Sequence, residues 1–139
     1  MPLKAPTAHS LGIIKGLLVA HTTNKGLGVY TTKAIKAHTV VEVAPVIIMP
    51  LLHKQHLDNT LLHDYIFMWG NNEQQCCMAL GWVPLYNHSY NSNCQYTMDY
   101  ATKHIIITTV TAIPANHELT INYNGTYNDA TKVWFDVAE

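Results

Sequence analysis

The amino-acid sequence predicts a mostly β fold, a β-rich α+β domain with little helix. Short runs of β-branched and aromatic residues recur along the chain, separated by Gly, Pro and Asn at short intervals. The composition, 48% hydrophobic and 12% charged over 139 residues, is that of a folded chain of one domain's length. We therefore expect a single domain spanning residues 1–139, without internal repeats or linkers.

The first half of the chain supplies most of the predicted strands. Runs of β-branched and aromatic residues bounded by polar links predict strands at residues 17–22, 28–32, 39–43 and 45–49. Residues 51–63 are the segment with the strongest helical character. Residues 65–69 and 76–80 then form a predicted hairpin around a Gly-Asn-Asn turn signal.

The second half continues this pattern. Strands are predicted at residues 96–100, 104–110 and 118–121. The first two are separated by a link of hairpin length, and a turn at residues 112–116 precedes the third. Residues 128–138 are predicted to form a short helix, which Asn128 or Asp129 would cap.

The charged residues argue against nucleic-acid binding. All 8 basic side chains are lysines, and the formal net charge is -1. Arginine is the side chain that grips phosphate and guanine edges in a bidentate manner, so its absence disfavours sequence-specific nucleic-acid binding. A near-neutral chain also lacks the positive charge that drives nonspecific binding.

The lengths of the apolar runs and the spacing of the cysteines argue against several further classes of protein. The longest apolar run, around residues 45–52, is far shorter than the roughly 20 residues that cross a bilayer. Because the amino-terminal segment does not resemble a secretory signal, we expect a cytoplasmic protein. Cys76, Cys77 and Cys94 are odd in number and form no C-x-x-C pair, so buried reduced thiols are expected rather than disulfides or a four-cysteine zinc site.

Two polar concentrations are candidates for chemistry. The segment 81–96, GWVPLYNHSYNSNCQY, places Asn and His side chains among tyrosines, and residues 118–125 run from an apolar strand into Asn, Tyr and Gly. Such side chains are costly to bury without partners. The first segment is therefore either a solvated loop or a hydrogen-bonded site.

Three motifs in order resemble the SET-domain family of protein-lysine methyltransferases. They are G-x-G-V-Y from Gly26, N-H-S-x-x-x-N-C from Asn87, and E-L-T-x-x-Y ending at Tyr123. The tetrapeptide from Asp64, D-Y-I-F, is similar to the family's second motif, and the resemblance covers about residues 17–127. It implies a β-clip fold of small sheets with a carboxy-terminal pseudoknot. The compact form resembles the small bacterial and viral members that lack zinc-binding flanking domains, which implies pairing into a homodimer.

The resemblance also implies the reaction and the cofactor. Family members transfer a methyl group from S-adenosylmethionine to a lysine side-chain nitrogen, releasing S-adenosylhomocysteine without a metal. The cofactor-binding residues that match are Gly26, Leu27, Gly28, Tyr65, Asn87 and His88, and Trp134 in the tail joins them as a candidate. Residues 128–139, with Trp134 and Phe135, would act either as an aromatic lid over the active site or as a plain hydrophobic anchor.

The same resemblance assigns the catalytic and channel residues. Tyr123 matches the family's principal catalytic tyrosine, and Tyr96 is the expected partner of the lysine nitrogen. Tyr30 and Tyr86 are expected to line the lysine channel. Ile121 matches the position that governs how many methyl groups fit, and an aliphatic residue there leaves the degree of methylation open.

Two other readings remain. His53 and His56 would share a helix face, but no third ligand follows at an ordinary zinc spacing, so metal catalysis is disfavoured. A SET-like module that has lost turnover and binds protein tails or cofactor is the stronger alternative. If the module is active, its substrate is a lysine-containing protein segment, with a histone tail as the leading class, which would place the protein in the nucleus or on chromatin.

Overall fold

A computed structural model describes residues 10–135 and 137. The described chain is built from short strands and little helix, which confirms the predicted class. The strands are β1 (Gly12–Ile13), β2 (Leu17–His21), β3 (Leu27–Thr31), β4 (Val40–Pro50), β5 (Ile66–Trp69), β6 (Gln75–Ala79), β7 (Asn87–His88), β8 (Cys94–Asp99), β9 (His104–Thr109) and β10 (His117–Ile121). The α-helix α1 spans Leu51–Leu57, and 3₁₀ helices span Leu61–Tyr65 and Val83–Leu85.

The strands form two sheets that share one core. The larger sheet has the order β5-β6-β4-β9-β8, with β1 paired to β4, and the smaller has the order β2-β3-β10-β7. All the pairs are antiparallel except β7 with β10, which is parallel. Val29 and Leu119 of the smaller sheet belong to the same buried cluster as Ile105 and Ile107 of the larger sheet. Apolar burial between the sheets therefore fixes their relative position.

Strand β4 is one long strand, where the sequence predicts two. Its first half pairs with β9 as far as Pro45, and its second half pairs with β6 from Val46 onward. Proline has no N–H to donate, so it fits where the strand exchanges one partner for another. The carbonyl of Pro45 still accepts a hydrogen bond from the N–H of Leu80, at 3.0 Å.

The predicted helix at residues 51–63 is only half α-helical. α1 ends at Leu57, and a 3₁₀ helix starts at Leu61. Between them Thr60 is extended, and its hydroxyl accepts a hydrogen bond from the N–H of Leu62 at 3.2 Å. Threonine side chains that bond nearby backbone in this way compete with the helical ladder, which explains the break.

The carboxy-terminal helix predicted at residues 128–138 is wrong over its described part, because residues 128–135 contain no helix. Asp129 accepts a hydrogen bond from the N–H of Thr131 at 2.8 Å, which makes a local turn. The carbonyls of Asp129 and Thr131 accept from the side chains of Asn122 and Asn124 instead of from a following helical turn. The rest of the predicted helix, apart from residue 137, lies outside the described residues.

The polar segment after Tyr86 is an ordered part of the fold, which excludes the solvated-loop reading. His88, Ser89 and Ser92 are buried. The Asn93 side chain donates to the carbonyl of Glu118 at 2.8 Å and accepts from the N–H of Thr120 at 2.9 Å. On its other side the segment meets the tail, since the Ser92 hydroxyl donates to the carbonyl of Tyr127 at 3.0 Å. The segment is thus hydrogen-bonded both to β10 and to the tail, and the pseudoknot implied by the resemblance stays a prediction.

No helix in the described part of the chain is long and apolar enough to cross a membrane.

Candidate active site

Two cavities meet at Tyr123. The first, here called the aromatic cavity, has a volume of about 260 Å³, and its walls include Phe67, Val83, Tyr86, Tyr96 and Tyr123. The second, the glycine-turn cavity, has a volume of about 410 Å³, and its walls include Gly26, Leu27, Tyr65, Asn87, Tyr123, Trp134 and Phe135. Asp64, Pro84, Tyr123 and Trp134 line both. A group bound in one cavity would thus lie next to a group bound in the other.

Tyr123 is held at three points. Its N–H donates to Nδ1 of His88 at 3.0 Å, which leaves the ring proton of a neutral His88 on Nε2. Its hydroxyl donates to the backbone carbonyl of Tyr86 at 2.8 Å. Its ring is nearly parallel to the indole of Trp134, with centroids 5.8 Å apart and an interplanar angle of 18°. The hydroxyl is therefore fixed in direction at the junction of the cavities.

The tyrosine hydroxyls of the aromatic cavity are neutral at ordinary pH. Burial raises the pKa of Tyr96 and of Tyr123 to about 12. Tyr96 packs edge-on against Phe67, with ring centroids 5.3 Å apart. The cavity thus presents aromatic faces and uncharged hydroxyls next to charged side chains, since Lys54, Asp64 and Glu73 also line it. The hydroxyls act as hydrogen-bond donors and acceptors rather than as phenolate bases.

The turn before β3 shapes the second cavity through two different glycine requirements. Gly26 has φ +76°, which favours glycine, and an added Cβ would meet no atom within 4 Å. Gly28 is needed for space, because an added Cβ would lie 2.6 Å from Oε2 of Glu118 and 2.9 Å from Nδ2 of Asn87. Without a side chain at Gly26, the space next to the second cavity stays open. Without a side chain at Gly28, the polar side chains of Glu118 and Asn87 can pack against the turn.

Those polar side chains form a brace. The Asn87 amide nitrogen donates to the carbonyl of Leu27 at 2.9 Å and to Oε2 of Glu118 at 2.7 Å. Lys25 pairs with the other oxygen of Glu118 at 3.2 Å. Asn87 and Lys25 also line a third cavity of about 260 Å³ together with His88, Tyr123 and Phe135. The brace ties the glycine turn to β7 and β10, the strands that flank Tyr123.

The sequence of the chain matches the family model of the SET domain over residues 26–124, which is more than half of the chain. The matched region begins at the glycine turn and ends just after Tyr123. The chain belongs to the SET-domain family of protein-lysine methyltransferases.

Relatives of this SET domain agree with that assignment. A curated Schizosaccharomyces pombe protein named histone-lysine N-methyltransferase, H3 lysine-37 specific, is 29% identical over 121 residues, covering 86% of this chain and 77% of the relative. A crystal structure of a candidate histone methyltransferase from Plasmodium falciparum superposes with a TM-score of 0.60 at 21% identity, covering 83% of this chain and 98% of the other. The second likeness concerns the fold alone.

Most of the residues predicted for the site converge in this SET domain. Those that line the two main cavities are Gly26, Leu27, Tyr65, Tyr86, Asn87, Tyr96, Tyr123 and Trp134. His88 lines the third cavity, and Gly28 lies behind the glycine turn. Tyr30, paired with Glu118 in the β3–β10 ladder, and Ile121, fully buried in β10, line none of these three cavities. Their channel roles stay predictions.

The tail of the SET domain reaches over both cavities. Trp134 is 59% exposed, and its indole N–H donates to Oδ1 of Asp64 at 3.3 Å. The N–H of Val133, a buried residue, donates to the hydroxyl of Tyr90 at 3.1 Å. The tail therefore anchors through Val133 and leaves the Trp134 ring between cavity and solvent.

Two carboxylates that were not predicted for the site shape it: Glu118, the first residue of the E-L-T-x-x-Y motif, and Glu42, which belongs to none of the motifs. Glu118 holds the brace behind the glycine turn. Glu42 is buried behind the aromatic cavity, and burial raises the pKa of its carboxyl, while hydrogen bonds from Trp82 and Tyr86 oppose that shift. The signal for Glu42 is its position, a single charge within the apolar run V-V-E-V-A of a predicted strand.

Within the described residues, no group of three or more His, Cys, Asp or Glu side chains is arranged to hold a metal ion.

Proposed function

We propose that this SET domain transfers a methyl group from S-adenosylmethionine to the side-chain nitrogen of a lysine in a protein segment, with a histone tail as the leading substrate class. The observation that carries the proposal is the meeting of the two main cavities at Tyr123. Methyl transfer needs donor and acceptor in line across a short distance. Adjoining cavities with a shared tyrosine meet that need.

The glycine-turn cavity fits the cofactor in size and chemistry. Its volume of about 410 Å³ falls in the range of about 300–1,000 Å³ of small-molecule sites. Gly26 leaves open space, and Tyr65, Trp134 and Phe135 offer aromatic surface for an adenine ring. The amide nitrogen of Asn87 is engaged by Leu27 and Glu118, so this side chain would hold the wall in place. When bound, S-adenosylmethionine supplies an electrophilic methyl group on a sulfonium.

The aromatic cavity suits a neutral lysine. Lysine has a reference pKa of about 10.4 and must lose its proton before it can attack. Removal from water disfavours the ammonium form, and a nearby positive charge disfavours it further. The neutral hydroxyls of Tyr96 and Tyr123, whose pKa values burial raises to about 12, can accept a hydrogen bond from the amine or donate one to it.

Tyr123 would align the reacting atoms. Its hydroxyl and the Tyr86 carbonyl lie 2.8 Å apart at the junction. Oxygen atoms at such a point can receive weak C–H contacts from a polarised methyl group, each worth about 0.5–1 kcal/mol. Because the lysine nitrogen attacks the methyl carbon directly, no side chain of the chain needs to form a covalent intermediate.

The substrate class rests on the relative rather than on the cavity. The Schizosaccharomyces pombe relative is named for histone H3. A histone substrate would place the activity of this chain on chromatin. An extended tail segment would reach the aromatic cavity past β5, which is an edge strand of the larger sheet and supplies Phe67 to the cavity wall.

The test is transfer of a labelled methyl group. The purified chain is incubated with methyl-labelled S-adenosylmethionine and with separate pools of histones and cell extract, and labelled lysines are identified by mass. We expect label on a protein lysine, reduced roughly a hundredfold or more in Tyr123→Phe. Tyr100→Phe is the matched control, because Tyr100 is exposed and lines neither main cavity.

The outcomes separate the alternatives. Cofactor binding measured by calorimetry, with no label in either pool, would favour a binding module or point to a substrate outside both pools. Absence of both cofactor binding and label would refute the proposed function and leave the SET-domain fold.

A further inference from the structure

A buried carboxylate holds the wall between the two main cavities. Glu42 lies in β4 and is only 1% exposed. Its Oε2 accepts a hydrogen bond from the N–H of Trp82 at 2.8 Å, and its Oε1 accepts one from the hydroxyl of Tyr86 at 2.9 Å. The chain leaves room for it at Gly81, where an added Cβ would collide with Oε2.

The two groups that Glu42 binds flank one short element. Trp82 and Tyr86 are the residues before and after the 3₁₀ helix Val83–Leu85. A three-residue helix has few hydrogen bonds of its own: here the N–H of Leu85 donates to the carbonyl of Trp82 at 2.8 Å, and the N–H of Tyr86 is 3.4 Å from the carbonyl of Val83. A single carboxylate thus clamps both ends of a short turn, and charged acceptors make hydrogen bonds roughly twice as strong as neutral ones.

The clamped turn is the partition of the proposed active site. Pro84 lines both main cavities, Val83 and Tyr86 line the aromatic cavity, and Leu85 lines the glycine-turn cavity. The partition ends at the Tyr86 carbonyl, which accepts the hydroxyl of Tyr123. Tyr86 is therefore fixed at its side chain by Glu42 and meets Tyr123 through its backbone.

We propose that Glu42 is a positioning residue for methyl transfer: by clamping residues 82–86 it fixes the Tyr86 carbonyl, and through it the direction of the Tyr123 hydroxyl. The inference rests on the proposed function, in which Tyr123 aligns the reacting atoms. Glu42 lines neither of the two main cavities, so it acts only through Trp82 and Tyr86. Its role is distinct from that of Glu118, which braces the glycine turn.

The test combines two substitutions that each weaken one arm of the clamp. Glu42→Gln keeps the shape but offers one acceptor oxygen where two are needed, and Tyr86→Phe removes the hydroxyl arm. We expect kcat to fall about tenfold or more in each, since misplacing a reacting group by about 1 Å costs roughly a hundredfold. In Glu42→Gln the KM values for cofactor and peptide should stay within about twofold, because the cavity walls keep their side chains. The double variant should lose less than the product of the single losses, because both changes disable the same contact.

A core control separates positioning from loss of folded protein. Ile113→Val trims a buried side chain that lines none of the three cavities described above. It should lower the melting temperature without lowering kcat at a temperature where the protein is folded. The proposal is overturned if folded Glu42→Gln keeps the wild-type kcat, or if its loss lies wholly in KM.

A second readout does not depend on activity. In protein labelled with ¹³C at the tyrosine ring carbon that bears the hydroxyl, the Tyr123 resonance, assigned with Tyr123→Phe, reports its hydrogen bond to Tyr86. We expect this resonance to shift in Glu42→Gln without cofactor present and to stay unchanged in Ile113→Val. An unchanged resonance in Glu42→Gln would refute the positioning role even if the chain methylates lysine. A shift in a chain that neither binds the cofactor nor methylates lysine would support the clamp and refute the proposed function.

Discussion

Replacing Gly28 by alanine adds a methyl group at the most crowded point behind the glycine turn. The new Cβ would lie 2.6 Å from Oε2 of Glu118, 2.8 Å from Cγ2 of Thr22 and 2.9 Å from Nδ2 of Asn87. Comfortable contacts to carbon lie at about 3.5–4.0 Å, so these neighbours must each move by roughly 0.5–1 Å. Two of the three belong to the brace between β3, β7 and β10.

The expected cost follows from that crowding. Overpacking a well-filled site costs about 1–3 kcal/mol. Weakening the hydrogen bond between Asn87 and Glu118 adds about 1 kcal/mol, because a charged acceptor loses part of its coordination. We therefore expect Gly28→Ala to lower the free energy of unfolding by about 2–4 kcal/mol, measured by urea titration with tryptophan fluorescence.

Two other glycines provide matched controls. Gly26 and Gly70 have φ of +76° and +97°, and an added Cβ at either would meet no atom within 4 Å. Alanine there costs only the strain of left-handed backbone, about 1–2 kcal/mol. A smaller loss in Gly28→Ala than in Gly26→Ala would refute the packing argument and indicate that the turn relaxes freely. Cofactor calorimetry on the same variants should show weaker binding for Gly28→Ala than for Gly70→Ala.

Two further predictions concern pH and the tail. Burial raises the pKa of Tyr96 to about 12, above its ordinary value of about 10, so folding favours the protonated phenol. The contribution of Tyr96 to the free energy of unfolding is complete below about pH 10 and is lost as the pH rises to about 12. The urea midpoint should therefore fall over that pH range, and it should fall less steeply in Tyr96→Phe than in the wild type. Asn124→Ala removes a 2.6 Å hydrogen bond to the carbonyl of Thr131, which loosens the tail. We therefore expect the fluorescence emission of Trp134 to shift to the red and tryptic cleavage after Lys132 to become faster. Asn71→Ala, at an exposed position, is the control in which neither should change. Cleavage and emission like the wild type in Asn124→Ala would show that the tail is held elsewhere.

The sequence predicted the local strand pattern well. The hairpin partners β8 and β9 pair across the short link that the sequence suggests, and β5 pairs with β6 around Gly70. The two strands of such a hairpin are close in sequence, so the pattern of apolar residues and the turn-forming residues between the strands suffice to predict the pairing. The motif resemblance added the site, because Tyr123, Asn87 and Gly26 are sequence-distant residues that only a known family brings together.

The errors arose where side-chain hydrogen bonds to the backbone, or pairing between distant strands, override local preference. Thr60 ends the helical segment early through its own side chain. The tail at residues 128–135 is not helical, because the side chains of Asn122 and Asn124 donate hydrogen bonds to its backbone carbonyls. The local sequence pattern does not reveal these hydrogen bonds. The parallel pair of β7 with β10 joins His88 to Ile121, whose strands are distant in sequence, so it is set by the tertiary fold alone.

The arrangement of the smaller sheet determines when in folding the site appears. β3 pairs with β10, and the glycine-turn cavity takes walls from Gly26 near one end of the chain and Phe135 near the other. Closing so long a loop costs entropy before any contact is gained, so this assembly is expected late in folding. Any ligand that bridges these distant segments acts as a staple, and at a concentration of about 100 times its Kd it would stabilise the folded chain by about 2.7 kcal/mol.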